Sequence, residues 1–106
     1  MKAKLTLKNN IIRKINIEGH CEGYERRTNK KLCFAVSAFT NTICALDSEG
    51  VSVCEYGHFV YEPTTPKYFA YIECLVTLLS VIASNYPLAI EFVITEDKTH
   101  ENNYNN

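Results

Sequence analysis

The hydrophobic period changes repeatedly along this chain, and the order of the changes dictates a mixed α/β fold. Ala3, Leu5 and Leu7 alternate with Lys4, Thr6 and Lys8, and after Asn9-Asn10 the residues Ile11, Ile15 and Ile17 alternate with Lys14, Asn16 and Glu18. A period of two on both sides of a tight turn predicts a β-hairpin. From Leu32 the apolar positions Leu32, Val36, Phe39, Ile43 and Leu46 lay one stripe along a helix that starts near Asn29 or Lys30 and ends near Ser48-Glu49-Gly50. The stretch between, from Gly19 to Lys31, has no apolar period and a dense mix of charge, and reads as a long exposed loop of the kind that carries function.

The second half repeats the alternation. Val51 to Cys54 and Phe59 to Tyr61 read as short strands around Tyr56-Gly57, and Pro63-Thr64-Thr65-Pro66 breaks the sheet. Thr65 as cap and Pro66 at the first helical position start a second helix to Asn85, with Phe69, Ile72, Leu75, Val76, Leu79 and Ile82 toward a core. Tyr68, Tyr71, Leu78 and Val81 widen its apolar arc beyond what a monomer buries. Leu88 to Thr95 is nearly all apolar, as in a strand from the middle of a sheet. The order ββαββαβ therefore predicts a two-layer α/β sandwich, with two helices on a mixed sheet of about five strands. One domain spans residues 1–95, and 96–106 form a polar, asparagine-rich tail.

Charge and length narrow the function. A formal net charge of -1 across 106 residues, with a pI near 6.3, provides no general basic field, so direct nucleic-acid binding is not expected. The first residues lack the apolar run of a signal peptide, which points to the cytoplasm. The segment from Tyr68 to Ala83 is interrupted by Glu73, Thr77 and Ser80 and falls short of the roughly 20 apolar residues of a membrane span, so no membrane partner is expected.

Cys21, Cys33, Cys44, Cys54 and Cys74 contain no C-x-x-C pair and make an odd number, which argues against a disulfide framework. Cys44 lies about 16 Å along the helix from Cys33, too far for a disulfide. Cys54 and Cys74 read as small core residues. His58 reads as structural and His100 as solvated. Arg26, Arg27, Lys30 and Lys31 form a local basic cluster, read as a solvated face or as a contact for an acidic partner.

Cys33 differs from the other four because it opens a helix after a loop that begins with Gly19-His20. A free thiol has a pKa of about 8.5, which a helix N-terminus and a neighbouring imidazole lower toward neutrality. His20, leaving the second strand, is placed to take the thiol proton and return it to a leaving amine. His20, Cys21 and Cys33 as a metal site would be one ligand short of the usual four, so neither a metal nor a cofactor is expected.

Gly19-His20-Cys21, the loop with Gly23, and Leu32-Cys33-Phe34-Ala35-Val36-Ser37-Ala38-Phe39 together resemble the ribosomal-processing cysteine proteases, a family of small bacterial proteins. The similarity extends to Gly57-His58-Phe59 and to Ser84-Asn85-Tyr86-Pro87. The resemblance implies Cys33 as nucleophile and His20 as general base, with Ser37, Gly19 and Gly23 in support. It also implies a homodimer and, as substrate, the N-terminal extension of a ribosomal large-subunit protein precursor, number twenty-seven in the bacterial series. One position departs from the family pattern: Lys30 stands where an aspartate is usual, three residues before the cysteine. The residues leave two readings open, a cysteine endopeptidase and a noncatalytic dimeric binding module that kept the fold.

Overall fold

A computed structural model describes residues 1–97 as a five-stranded mixed sheet with two helices, in the order ββαββαβ. The strands are β1 (Lys2–Lys8), β2 (Ile11–Glu18), β3 (Val51–Glu55), β4 (His58–Tyr61) and β5 (Glu91–Glu96), and the helices are α1 (Arg26–Leu46) and α2 (Phe69–Asn85). In space the strands run β3-β4-β2-β1-β5, all antiparallel except the β1/β5 pair. The tail expected over 96–106 overlaps β5 at Glu96, and beyond Asp97 it lies outside the described residues, as does His100.

Asn9 and Asn10 both have positive φ (54° and 63°) and connect Lys8 to its partner Ile11, the geometry of a two-residue turn matched to strand twist. The expected alternation in β2 fails at one point. Thr6 pairs with Lys14 and Leu7 with Ile12, so Arg13 is an extra, bulged residue. A one-residue insertion reverses the parity of the side chains. Ile11 is therefore exposed, and Ile12 packs against the core in its place.

Cross-strand pairing puts the core on one face. Ala3 opposes Ile17, Leu5 opposes Ile15, Ile17 opposes Phe59 and Ile15 opposes Tyr61, and all six are buried. Lys4, Asn16, Glu18 and His58 occupy the alternate register positions, where a Lys4–Glu18 pair at 3.5 Å is solvated enough to add little stability. Both helices pack on the apolar face and against each other: Leu32, Val36, Thr40 and Ile43 from α1, and Ile72, Leu75, Leu79 and Ile82 from α2.

Several expected boundaries shift for physical reasons. α1 begins at Arg26, not at Asn29 or Lys30, because its opening turns are entirely polar and carry no hydrophobic period. Phe39 packs half-buried against the core beside the buried Thr40, whose hydroxyl donates to the Ser37 carbonyl at 3.1 Å, and Leu46 is exposed. Residues 66–68 form a 3-10 turn before α2, and Thr65 makes no side-chain cap bond. The helical stretch Pro66–Asn85 spans 20 residues, so by length and composition alone it is sufficient to cross a membrane, contrary to the shorter span read from sequence. In this fold it is the second core helix. β5 lies at the edge of the sheet, not its middle, since the burial in its neighbourhood comes from Ala89 and Ile90 just before it while Ile94 is exposed. Cys54 and Cys74 are exposed rather than core residues.

One buried carboxylate ties these layers together. Asp47, at the end of α1, accepts from the Tyr61 hydroxyl at 2.8 Å and from the Thr64 hydroxyl and amide at 2.8 and 3.2 Å. Burial pushes its carboxyl up, but the bonds from Tyr61 and Thr64 outweigh that and hold it below its ordinary value. Gly50 completes the packing: a Cβ there would lie 2.6 Å from the Glu62 carbonyl oxygen and 3.0 Å from Asp47 Oδ2.

Candidate active site

The chain leaves β2 through Gly19, whose positive φ of 82° turns it away from the sheet and whose N–H donates to the Gly57 carbonyl at 2.8 Å. This bond ties the end of β2 to the β3/β4 turn and sets His20 beside it. The imidazole lies on the Tyr56 ring, with centroids 4.5 Å apart and planes inclined at 39°. Gly57 faces it from below: a Cβ at that position would come within 3.0 Å of both His20 Cε1 and Nε2. The imidazole is thus held by an aromatic face and by an absent side chain, the kind of packing that limits a general base to a narrow set of orientations.

Replacing Gly57 by alanine will therefore act on the imidazole. Its φ of 83° already disfavours any side chain, and the new methyl must displace His20. The expected result is loss of the His20–Tyr56 ring contact, read as a shift of the His20 ring resonances by NMR, in a protein that still unfolds cooperatively.

The loop between His20 and α1 is shorter and better anchored than its composition suggests. It ends at Glu25, and Tyr24 secures it: its hydroxyl accepts from the Leu88 amide at 3.0 Å, and its ring meets Tyr86 edge-on at 5.4 Å. Gly23 sits in the same contact with φ 97°, and a Cβ there would lie 2.8 Å from Leu88 Cβ. The Asn29 side-chain amide donates to the Tyr24 carbonyl at 2.9 Å, closing the loop onto the helix.

Cys33 lies seven residues into α1, about two turns past its start, so the helix N-terminus expected to favour a thiolate is not beside it. The contact to the sulfur comes instead from Cys21, whose backbone N–H donates to Cys33 Sγ at 3.1 Å. Burial, reinforced by the nearness of Cys33, pushes the Cys21 thiol up to about 12, so it stays protonated. The Cys33 sulfur thus has a fixed backbone donor from the residue that follows His20. In the sequence Cys21 stands as part of the Gly19-His20-Cys21 motif and as one of three residues, too few for a metal site. Nothing in the linear sequence indicated that its amide would point at Cys33.

His20 and Cys33 line one groove of about 560 Å³, together with Cys21, Tyr24, Asn29 and Tyr56. Ser37 lines it one turn after Cys33, and Lys30 stands at its rim in the position where the resemblance leads one to expect a carboxylate. No hydrogen bond joins the imidazole to the thiol among the described residues; the pair shares the groove without closing on itself. Catalytic hydrogen bonds are commonly long in unliganded sites and tighten around substrate. Among the described residues no three histidine, cysteine, aspartate or glutamate side chains converge as metal ligands.

Neither a protein-family profile nor any curated protein sequence matches the chain. Solved structures do. The chain superposes on the ribosomal processing protease Prp from S. aureus, solved with a covalently linked product peptide, at a TM-score of 0.67 and 17% identity, covering 89% of this chain and 98% of that one. The same protease with a substrate peptide gives a TM-score of 0.65 at the same identity and coverage. SMU.848 from Streptococcus mutans matches at a TM-score of 0.62 and 13% identity, over 91% of this chain and 97% of that one. The agreement extends over nearly the full length of each chain, and the chain shares its fold with the ribosomal processing protease Prp.

Proposed function

We propose that this chain is a cysteine endopeptidase in which Cys33 is the nucleophile and His20 the general base. The observation that carries the reading is the shared groove, which is lined both by a sulfur that accepts from the Cys21 amide and by an imidazole seated on Tyr56 and Gly57. The thiolate attacks the scissile carbonyl carbon, and collapse of the tetrahedral adduct expels the amine, which takes its proton from the imidazolium. A water deprotonated by His20 then hydrolyses the thioester and regenerates the thiol. The substrate in this reading is the N-terminal extension of a ribosomal large-subunit protein precursor, processed in the cytoplasm. A peptide spanning the junction between extension and mature protein should be cut once, at the junction, as read by mass spectrometry.

The noncatalytic alternative draws on two observations, Lys30 at the groove rim and the absence of a hydrogen bond between His20 and Cys33. Under it the same peptide binds and stays intact.

We also propose that the working form is a homodimer. Val81, in the outer arc of α2, is 54% exposed, and Leu88 just beyond the helix is 71% exposed. Light scattering should report about twice the 12.1 kDa chain, and Val81→Glu should shift it toward monomer. A monomer at all concentrations removes this part of the reading.

A further inference from the structure

The groove that holds Cys33 does not end at the thiol. Arg26, Lys30 and Phe34 are common to it and to a second, wider depression of about 770 Å³ on the outer side of α1, which Arg27 and Lys31 complete. Four cations therefore surround one phenyl ring that is 75% exposed, in a chain whose formal net charge is -1.

The energetics of these residues within the fold are unfavourable. Arg26 and Arg27 sit in the first turn of α1, which holds no acidic residue to offset them, and Arg26/Lys30 and Arg27/Lys31 are like-charge pairs four residues apart, an arrangement that weakens a helix. Among the described residues none of the four forms an ion pair. Glu25, the nearest carboxylate in sequence, is turned to the Thr28 hydroxyl at 3.3 Å. A cluster that weakens its own helix and has no internal counter-charge is placed for a charge from outside.

We propose that this surface is the specificity face of the site and that it selects peptides rich in aspartate and glutamate on one side of the reacting bond, with an apolar side chain resting on Phe34. The proposal deepens the peptidase reading and rests on the Cys33 groove being a peptide site. A carboxylate-bearing peptide fits better than a nucleic acid because the cations are confined to the continuation of one groove, while the chain as a whole has no positive field to track a phosphate backbone.

The test uses full-length Cys33→Ala protein and two fluorescein-labelled peptides with the same phenylalanine-leucine centre, one flanked by aspartate and glutamate, the other by lysine. Fluorescence anisotropy should give about tenfold tighter binding of the acidic peptide, a preference that shrinks at high salt. The double variant Arg27→Glu/Lys31→Glu, altered only at exposed positions of the outer depression, should lose that preference. Equal affinity for the two peptides, or a preference that survives the double reversal, overturns the proposal. So does displacement of the acidic peptide by an oligoribonucleotide of the same net charge at lower concentration. Incubation with the wild-type thiol separates the two readings. An acidic peptide bound but left intact defeats the peptidase and keeps the specificity face. Acidic and lysine peptides cut with equal kcat/KM do the reverse.

Discussion

Under the proposed reading Cys33→Ala is expected to bind substrate peptide and never cut it, a loss of about 10⁴-fold or more in kcat, because the only other thiol in the groove, Cys21, is buried and held protonated. His20→Ala should fall by about 10²–10⁴-fold, since the thiol remains but nothing protonates the leaving amine. The two losses will not add, because the residues act as one unit. Iodoacetamide labelling supplies an independent readout: Cys33 should react fastest in the folded protein, ahead of the more exposed Cys54 and Cys74. Faster labelling at either of those two would remove Cys33 from its role. Lys30→Asp then discriminates further. A rate increase identifies the native lysine as a brake on catalysis, and intact peptide with every variant leaves the binding module.

The second large effect is on stability. Asp47→Ala removes the acceptor of three hydrogen bonds and strands the hydroxyl of Tyr61, a fully buried residue. The expected cost is about 3 kcal/mol, from lost bonds to a charged group and one unpaired buried hydroxyl. A domain of this size has roughly 5–15 kcal/mol in all. The melting temperature should fall by roughly 15 °C. The pH dependence follows from the direction of the shift. Because the folded carboxyl titrates below its ordinary 3.8, its contribution is complete above that value and disappears as the pH falls through the folded value. Denaturant midpoints measured into acid should therefore decline for the wild type and much less for Asp47→Asn. Parallel curves would mean that Asp47 carries no such linkage.

Much of this architecture was legible because it rests on local rules. Asn9-Asn10 marks the hairpin turn, the stripe from Leu32 to Ile43 marks α1, and Pro66 marks the start of the second helical stretch. Errors arose where a tertiary contact overrode the local signal. The bulge at Arg13 needs knowledge of the pairing register, and the polar opening of α1 carries no period to detect. Cys54 and Cys74 were placed in the core on the average behaviour of free cysteine, whereas each occupies an outward position of its element. Sequence spacing singles out His20 and Cys33, which the structure places on one groove, but not the groups that surround them. Tyr56 and Gly57 follow His20 by more than thirty residues, and the sequence shows them only as a turn between two short strands, with no sign that the turn packs on the imidazole.

That separation has a consequence for how the site comes into being. A chain emerging from the ribosome completes the β1/β2 hairpin and α1, with His20 and Cys33 already present, before the Tyr56-Gly57 hairpin has been synthesised. Until that hairpin docks on β2, the Tyr56 face and the close approach of Gly57 that hold the His20 ring do not exist. The seat of the imidazole is therefore a product of tertiary pairing, formed only once residues from both halves of the chain have met.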